Sequence, residues 1–211
     1  TQSGFPTFGG PHIFFLLSSV ANLALKAAWF QKWLVQRRLR PEAFGGCIHN
    51  NLVAHTNYPI HKDIIDSSVL SMIYGRNKSY LLPIAYPEGC PAHPAYPSGH
   101  ATWVGACATV VKAFFDEESI IEDQVIPTDD GLELVPYKGP DVLTVGGELN
   151  KLASNIAIGR DFAGIHWRSD AIEGMNLGEE LSIRFLIEQK EMFYEKFSFS
   201  ITKFDGTTIQ I

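Results

Sequence analysis

A chain of 211 residues, 45% hydrophobic and 19% charged, can bury a core and is not a disordered segment. A net charge of −6, with no basic run interleaved with aromatics, excludes a general nucleic-acid binder. Cys47, Cys90 and Cys107 are odd in number and lack CxxC spacing, which argues against a disulfide framework or a zinc site and leaves the compartment open.

The chain begins TQSGFPTFGG without a methionine, as the interior of a longer protein would. After Gly9-Gly10-Pro11, apolar and small residues run at helical spacing to about Leu39, where Pro41 stops them. HIFFLLSSVANLALKAAWF is near the length of a membrane span, but Asn22 and Lys26 interrupt it and no second stretch resembles it. A buried core helix is expected, and no membrane span. The helix ends in QKWLVQRRLRP, where Lys32 and Arg40 are eight residues apart, about 12 Å along an ideal helix. The residue before a proline is biased out of the helix and both side chains are long, so the two can converge on one anion. Trp29 shares the face of Lys32. Arg37 and Arg38 read as solvated charges complementing the helix dipole.

FGGCIHNNLVAHTNYPIH is loop-like. Its His49, His55 and His61 are six apart, which is not a helical ligand spacing, so they are surface or core histidines. Asp63 to Tyr74 predicts a short amphipathic helix closed by Gly75. Pro91, Pro94 and Pro97 then keep the backbone irregular up to Ser98-Gly99-His100, which opens the apolar helix ATWVGACATVVKAFF. Ser98 stands where an N-cap belongs, and Gly99 allows close approach to the main chain. The first amides of such a helix offer a seat for an oxyanion, with His100 placed to exchange a proton. Alone, the tetrapeptide is a capped helix with a chance histidine; the rest of the chain decides.

DEESIIEDQ lacks an EF-hand pattern and reads as a solvated rim rather than a calcium loop. Asp129-Asp130-Gly131 between β-prone runs predicts a hairpin. Farther on, Leu149, Leu152, Ala153 and Ile156 make an apolar stripe leading to Arg160, followed by Gly164, His166 and Asp170. His166 and Asp170 are an i,i+4 pair, so on a helix the carboxylate can hold or polarise the imidazole, or simply decorate the surface. A final helix runs to about Tyr194, and the extended tail FSFSITKFDGTTIQI can dock on a core or on a partner.

Three separated stretches therefore offer three cations, a hydroxyl, helix-start amides and two histidines. That inventory suits a tetrahedral oxyanion whose central atom one histidine can reach. At this point the sequence resembles the vanadium-dependent haloperoxidases and their relatives, the bacterial class A acid phosphatases and type 2 phosphatidic acid phosphatases. The superfamily pattern is a Lys followed by Arg-Pro, then PSGH, then an Arg, a His six later and an acid four beyond. KWLVQRRLRP, PSGH and RDFAGIHWRSD match it in order. Seven residues separate Lys32 from Arg40 and His93 stands five before Ser98, which is similar to the algal and cyanobacterial bromoperoxidases. FGGPHI, RRLRPEA and KFDGTTIQI look like the red-algal enzymes. The resemblance covers nearly the whole chain but only the C-terminal half of those proteins, so residues 1–211 are expected to be one catalytic domain of a longer enzyme.

What the resemblance implies is a mainly α fold, a helical bundle of the haloperoxidase and acid phosphatase type with a minor β-hairpin. It implies vanadate as cofactor, with His166 as the vanadium ligand and Lys32, Arg40, Ser98, the Gly99 amide and Arg160 on the vanadate oxygens. His100 is the implied acid–base residue, Lys32 polarises the oxidant, and His93 supports or tunes halide handling. Asp170 matches the acid that orients the nucleophilic histidine of the phosphatases. Hydrogen peroxide, bromide or iodide and a small organic acceptor are the implied partners. Homo-oligomers built from dimers, up to a dodecamer, are implied by analogy, as is structural calcium in the full-length enzyme only. Trp29 stands where red-algal relatives often have Arg, and a bulky apolar group there desolvates halide differently. Two other functions fit the same residues: a phosphatase with His166 as nucleophile, and a non-enzymatic assembly module.

Overall fold

A computed structural model describes residues 4–211. Helix α1 (Gly10–Phe30) carries Pro11 in its first turn, where the missing N–H has no partner to lose. Leu16, Val20, Ala24 and Ala28, four apart, form its buried stripe. The opposite face is open, with Phe14 71% and Phe30 55% exposed. The expected core helix is thus buried on one side only. By length and composition alone, one helical stretch among the described residues, within Gly10–Val53, is apolar enough to cross a membrane.

The helix does not run on to Leu39. At Gln31 it widens into a π-helical turn (Gln31–Gln36), Arg37 follows in the left-handed conformation (φ 44°), and Arg40 is extended. The wider turn rotates Lys32 inward, where its ammonium meets the carbonyls of Pro94 and Ala95. Helix α2 (Pro41–Val53) then replaces the loop expected there. Pro41 and Glu42 suit a helix start. The glycines that made the stretch look irregular include Gly45, whose Cβ would lie 3.1 Å from the Leu82 Cβ, so its smallness serves a packing contact. The single helix expected from Asp63 is two, α3 (Lys62–Ile65) and α4 (Ser68–Asn77), because Ser67 caps α4 by accepting the Val69 N–H. Gly75 lies inside α4, and left-handed Lys78 ends it instead.

Helix α5 (Gly99–Phe114) is the hub, packed against α1, α6 (Val145–Phe162) and α7 (Arg168–Lys190). Its partner α7 comes very close through glycines. A Cβ on Gly174 would stand 2.8 Å from the Ser98 carbonyl, and one on Gly178 would overlap the Thr102 carbonyl and lie 2.6 Å from the Ala106 nitrogen. Leu16, Val20, Val110, Phe185, Leu186, Phe199 and Ile201 fill the core. Where α5, α6 and α7 approach the site, only Ala101, Ala157 and Ala171 separate them. The predicted α6 stripe therefore splits. Ala153 is buried, while Leu152 and Ile156 point outward, because the close helices leave room only for small side chains. Leu152 and Trp103 instead line an apolar groove of about 380 Å³ between α1, α5 and α6.

The predicted hairpin forms as antiparallel β1 (Val125–Pro127) and β2 (Leu134–Pro136). The tail folds into a second one, β3 (Ser200–Thr202) with β4 (Thr208–Gln210), and docks on the core through Ile201. Buried Lys112 donates to the Thr202 carbonyl (2.5 Å) and Glu117 accepts the Thr202 N–H (2.6 Å), so one acid of the expected rim holds the tail down. The architecture is mainly α, a helical bundle with two small hairpins.

Candidate anion-binding site at one end of the bundle

The first residues of α5 and α7, the last turn of α6 and the π turn meet at one end of the bundle. The Ser98 N–H donates to the Asp170 carbonyl (2.9 Å), tying the two helix starts together. Ser98 is buried and caps α5 as expected, its Oγ accepting the Ala101 N–H at 3.3 Å. Gly164 turns the chain out of α6 at φ +78°, against the Pro83 carbonyl, and so delivers His166 to the same end.

His166 is not on a helix, as the i,i+4 spacing implied; it precedes the α7 cap Trp167. The pair forms nonetheless, because Asp170 in the first turn reaches back. Its Oδ2 lies 3.0 Å from His166 Nδ1 and accepts the Trp167 N–H at 3.1 Å. Burial alone would raise the Asp170 carboxyl, but bonds from His166, the Trp167 amide and Arg38 outweigh it and leave the group lowered and ionised. An ionised acceptor fixes the proton on Nδ1, so Nε2 presents a lone pair. That nitrogen is 2.9 Å from Arg40 Nη1, which can only donate. Burial, helped by Arg40 and Lys32 and opposed by Asp170, lowers His166 to about 4, so the imidazole is neutral near pH 7.

The cations gather around it. Arg40 is held by the His93 and Ile165 carbonyls and His93 Nδ1. Lys32, 1% exposed, spends two donors on the Pro94 (2.8 Å) and Ala95 (3.0 Å) carbonyls. Burial, then Arg40, lowers its ammonium to about 7, against a smaller opposing pull from Asp170. Arg160 lies over the Tyr86 ring (5.7 Å), and its Nε is buried with no partner among the described residues. A Cβ on Gly99 would meet nothing nearer than Leu25 at 3.9 Å, so packing within the chain does not require the glycine. His100 is exposed; partial burial, then Arg160, Lys32 and Arg40, lower its ring. Trp29 leans on His93 with ring centres 5.1 Å apart, at the rim.

All the residues singled out in the sequence thus lie at this end of the bundle or on its rim. His49, His55 and His61 do not join them: His49 accepts the Tyr80 N–H and His61 caps α3. Arg38 corrects the reading that left it solvated. It bonds Asp170 Oδ1 (2.9 Å) and Ser169 Oγ (2.7 Å), because left-handed Arg37 turns it back toward α7. The tyrosines under the arginines also went unread. Tyr86 lies beneath Arg160 and Tyr96 beneath Arg38, and the repeated triplet Ala-Tyr-Pro at 85–87 and 95–97 was the available signal.

An unpartnered guanidinium nitrogen, an ammonium with one donor to spare, helix-start amides and a neutral imidazole lone pair fit a tetrahedral oxyanion with a Lewis-acidic centre. The lowered Lys32 has a consequence for pH. The group is charged below about 7 and neutral above, so affinity for a fixed-charge anion such as sulfate should fall as pH rises. A drop of about tenfold between about pH 6 and about pH 9 is expected, largely absent in Lys32→Met. A calorimetric titration series measures it.

The family described as the VCPO second helical-bundle domain matches residues 12–193. The chain belongs to the vanadium-dependent haloperoxidase family. Vanadium-dependent bromoperoxidases of Corallina pilulifera and Corallina officinalis are each 44% identical to it over the whole chain, and that of Ascophyllum nodosum is 40% identical. The homohexameric structure of a second vanadate-dependent bromoperoxidase from Ascophyllum nodosum superposes on the whole chain with a TM-score of 0.88 at 34% identity, covering 41% of that protein. The chain spans about two fifths of the length of these haloperoxidases, 38% of the Corallina sequences and 40% of the first Ascophyllum one.

Proposed function

We propose that this chain carries the vanadate site of a bromoperoxidase that uses hydrogen peroxide to oxidise bromide or iodide for transfer to an organic acceptor. The observation that carries the proposal is the neutral His166, its Nδ1 held by Asp170 and its Nε2 lone pair turned toward Arg40 within a ring of cations. The names of relatives at 40–44% identity support it. His166 Nε2 would hold the vanadium, and Lys32, Arg40, Arg160, Ser98 Oγ and the Gly99 N–H would hold its oxygens. When bound, vanadate supplies a Lewis-acidic centre at which hydrogen peroxide becomes electrophilic toward halide.

The residues of the chain do the rest. Lys32, with a donor to spare, polarises the oxidant. His100, held below the ordinary histidine range by partial burial and then by Arg160, Lys32 and Arg40, accepts the proton that the incoming peroxide gives up. His93, bonded to Arg40 and covered by Trp29, sets the polarity of the halide's approach. Asp170 fixes the His166 tautomer. The same neutral imidazole could instead take a phosphoryl group, and this makes the assay decisive. Bromination by the intact protein should require both peroxide and added vanadate. Rapid hydrolysis of phosphate esters without vanadate-dependent bromination would establish the phosphatase instead. His100→Ala should leave vanadate affinity within about fivefold while turnover falls about 10²–10⁴-fold, the usual scale of a lost acid–base group. Equal loss of affinity would contradict its role. A homo-oligomer is the assembly inferred for the intact protein, supported by the homohexameric relative rather than by any contact within the chain.

A further inference from the structure

We propose that Arg38 is a positioning residue for His166, acting through Asp170; the inference rests on the vanadate reading above. Asp170 is fully buried, and its two oxygens are divided. Oδ2 takes the His166 Nδ1–H and the Trp167 N–H, whereas the side-chain bond to Oδ1 comes from Arg38 Nη1 at 2.9 Å. Arg38 is itself fixed, by Ser169 Oγ at 2.7 Å and by lying over the Tyr96 ring at 5.4 Å. The carboxylate therefore cannot turn about its Cβ–Cγ bond without breaking a charged hydrogen bond, and its other oxygen stays aimed at Nδ1. One three-residue stretch, Arg38 to Arg40, grips His166 from both sides: Arg40 stands at Nε2, and Arg38 reaches Nδ1 by way of Asp170. The left-handed Arg37 sends the two arginines to these separate stations.

Arg38 is 44% exposed on its side chain, so as a simple ion pair it adds little to stability. As an outer partner of a metal ligand it matters more, since losing such partners typically weakens metal binding about 10–100-fold. The two roles separate in a double-mutant cycle on the intact protein, with orthovanadate as the probe. Arg38→Met should weaken vanadate binding about 10–100-fold with its unfolding midpoint close to wild type, and Arg38→Lys should recover part of the loss. In an Asp170→Asn background, Arg38→Met should cost nothing further. Arg37→Met, which removes an exposed neighbouring charge, should bind as wild type does. In the vanadate-free protein, imidazole ¹⁵N resonances should place the His166 proton on Nδ1 alone in wild type and on both nitrogens in Arg38→Met. Unchanged affinity in Arg38→Met, losses that add in the double mutant, an equal loss in Arg37→Met, or an unchanged ¹⁵N pattern would overturn the assignment. If wild type binds no vanadate, the functional reading fails instead, and the ¹⁵N pattern still decides the role of Arg38.

Discussion

Replacing His166 with alanine is expected to abolish measurable vanadate binding, a loss on the order of a thousandfold, or about 4 kcal/mol. The cations remain in this variant, so the expectation is specific to a ligand bond. Phosphate, held by charge and hydrogen bonds alone, should lose less than about tenfold. The contrast follows from the geometry: Nε2 carries a neutral lone pair facing Arg40, and Asp170 on the other nitrogen keeps the proton off it. Equilibrium dialysis with each anion measures the contrast, with circular dichroism to confirm the fold. A parallel loss for both anions would show that the imidazole merely shapes the cationic ring.

The second large effect is in the scaffold. Gly178→Ala should destabilise the protein by about 3 kcal/mol, the upper part of the usual range for overpacking a tight core. The added methyl would press into the Thr102 carbonyl and the Ala106 nitrogen, both backbone atoms that no rotamer change can move. Helix α5 must shift as a unit. Because Ser98, Gly99 and His100 start that helix and the Ser98 N–H is bonded to the Asp170 carbonyl, vanadate affinity should fall along with stability. Denaturant melts report the first and vanadate titration the second. Gly75→Ala, where a methyl inside α4 meets nothing within 4 Å, should leave vanadate affinity unchanged and raise stability by about 0.5–1 kcal/mol.

Features that local chemistry dictates were legible in the sequence. The Ser98 cap, the pre-proline extension at Arg40, the Asp130-Gly131 hairpin and the His166–Asp170 pair each follow from a few neighbouring residues, and the structure has all four. What was misread depends on contacts across the chain. The π turn exists because Lys32 is drawn to carbonyls more than sixty positions away, and nothing within QKWLVQ announces that. Gly45-Gly46 looked like a loop because Leu82, the packing partner of Gly45, is distant in sequence. Arg38 looked solvated because its partner is 132 positions away, while Arg40, two residues on, was singled out. The outward hydrophobics of α1 and α6 had the same ambiguity. Helical spacing separates one face of a helix from another, but does not say which neighbour covers the second.

Vanadium anomalous scattering from crystals of the intact protein grown with vanadate would locate the metal itself. One strong peak is expected, bonded to His166 Nε2 and enclosed by Lys32, Arg40 and Arg160. A peak elsewhere, or vanadate held by the arginines with the His166 ring unbonded, would contradict it.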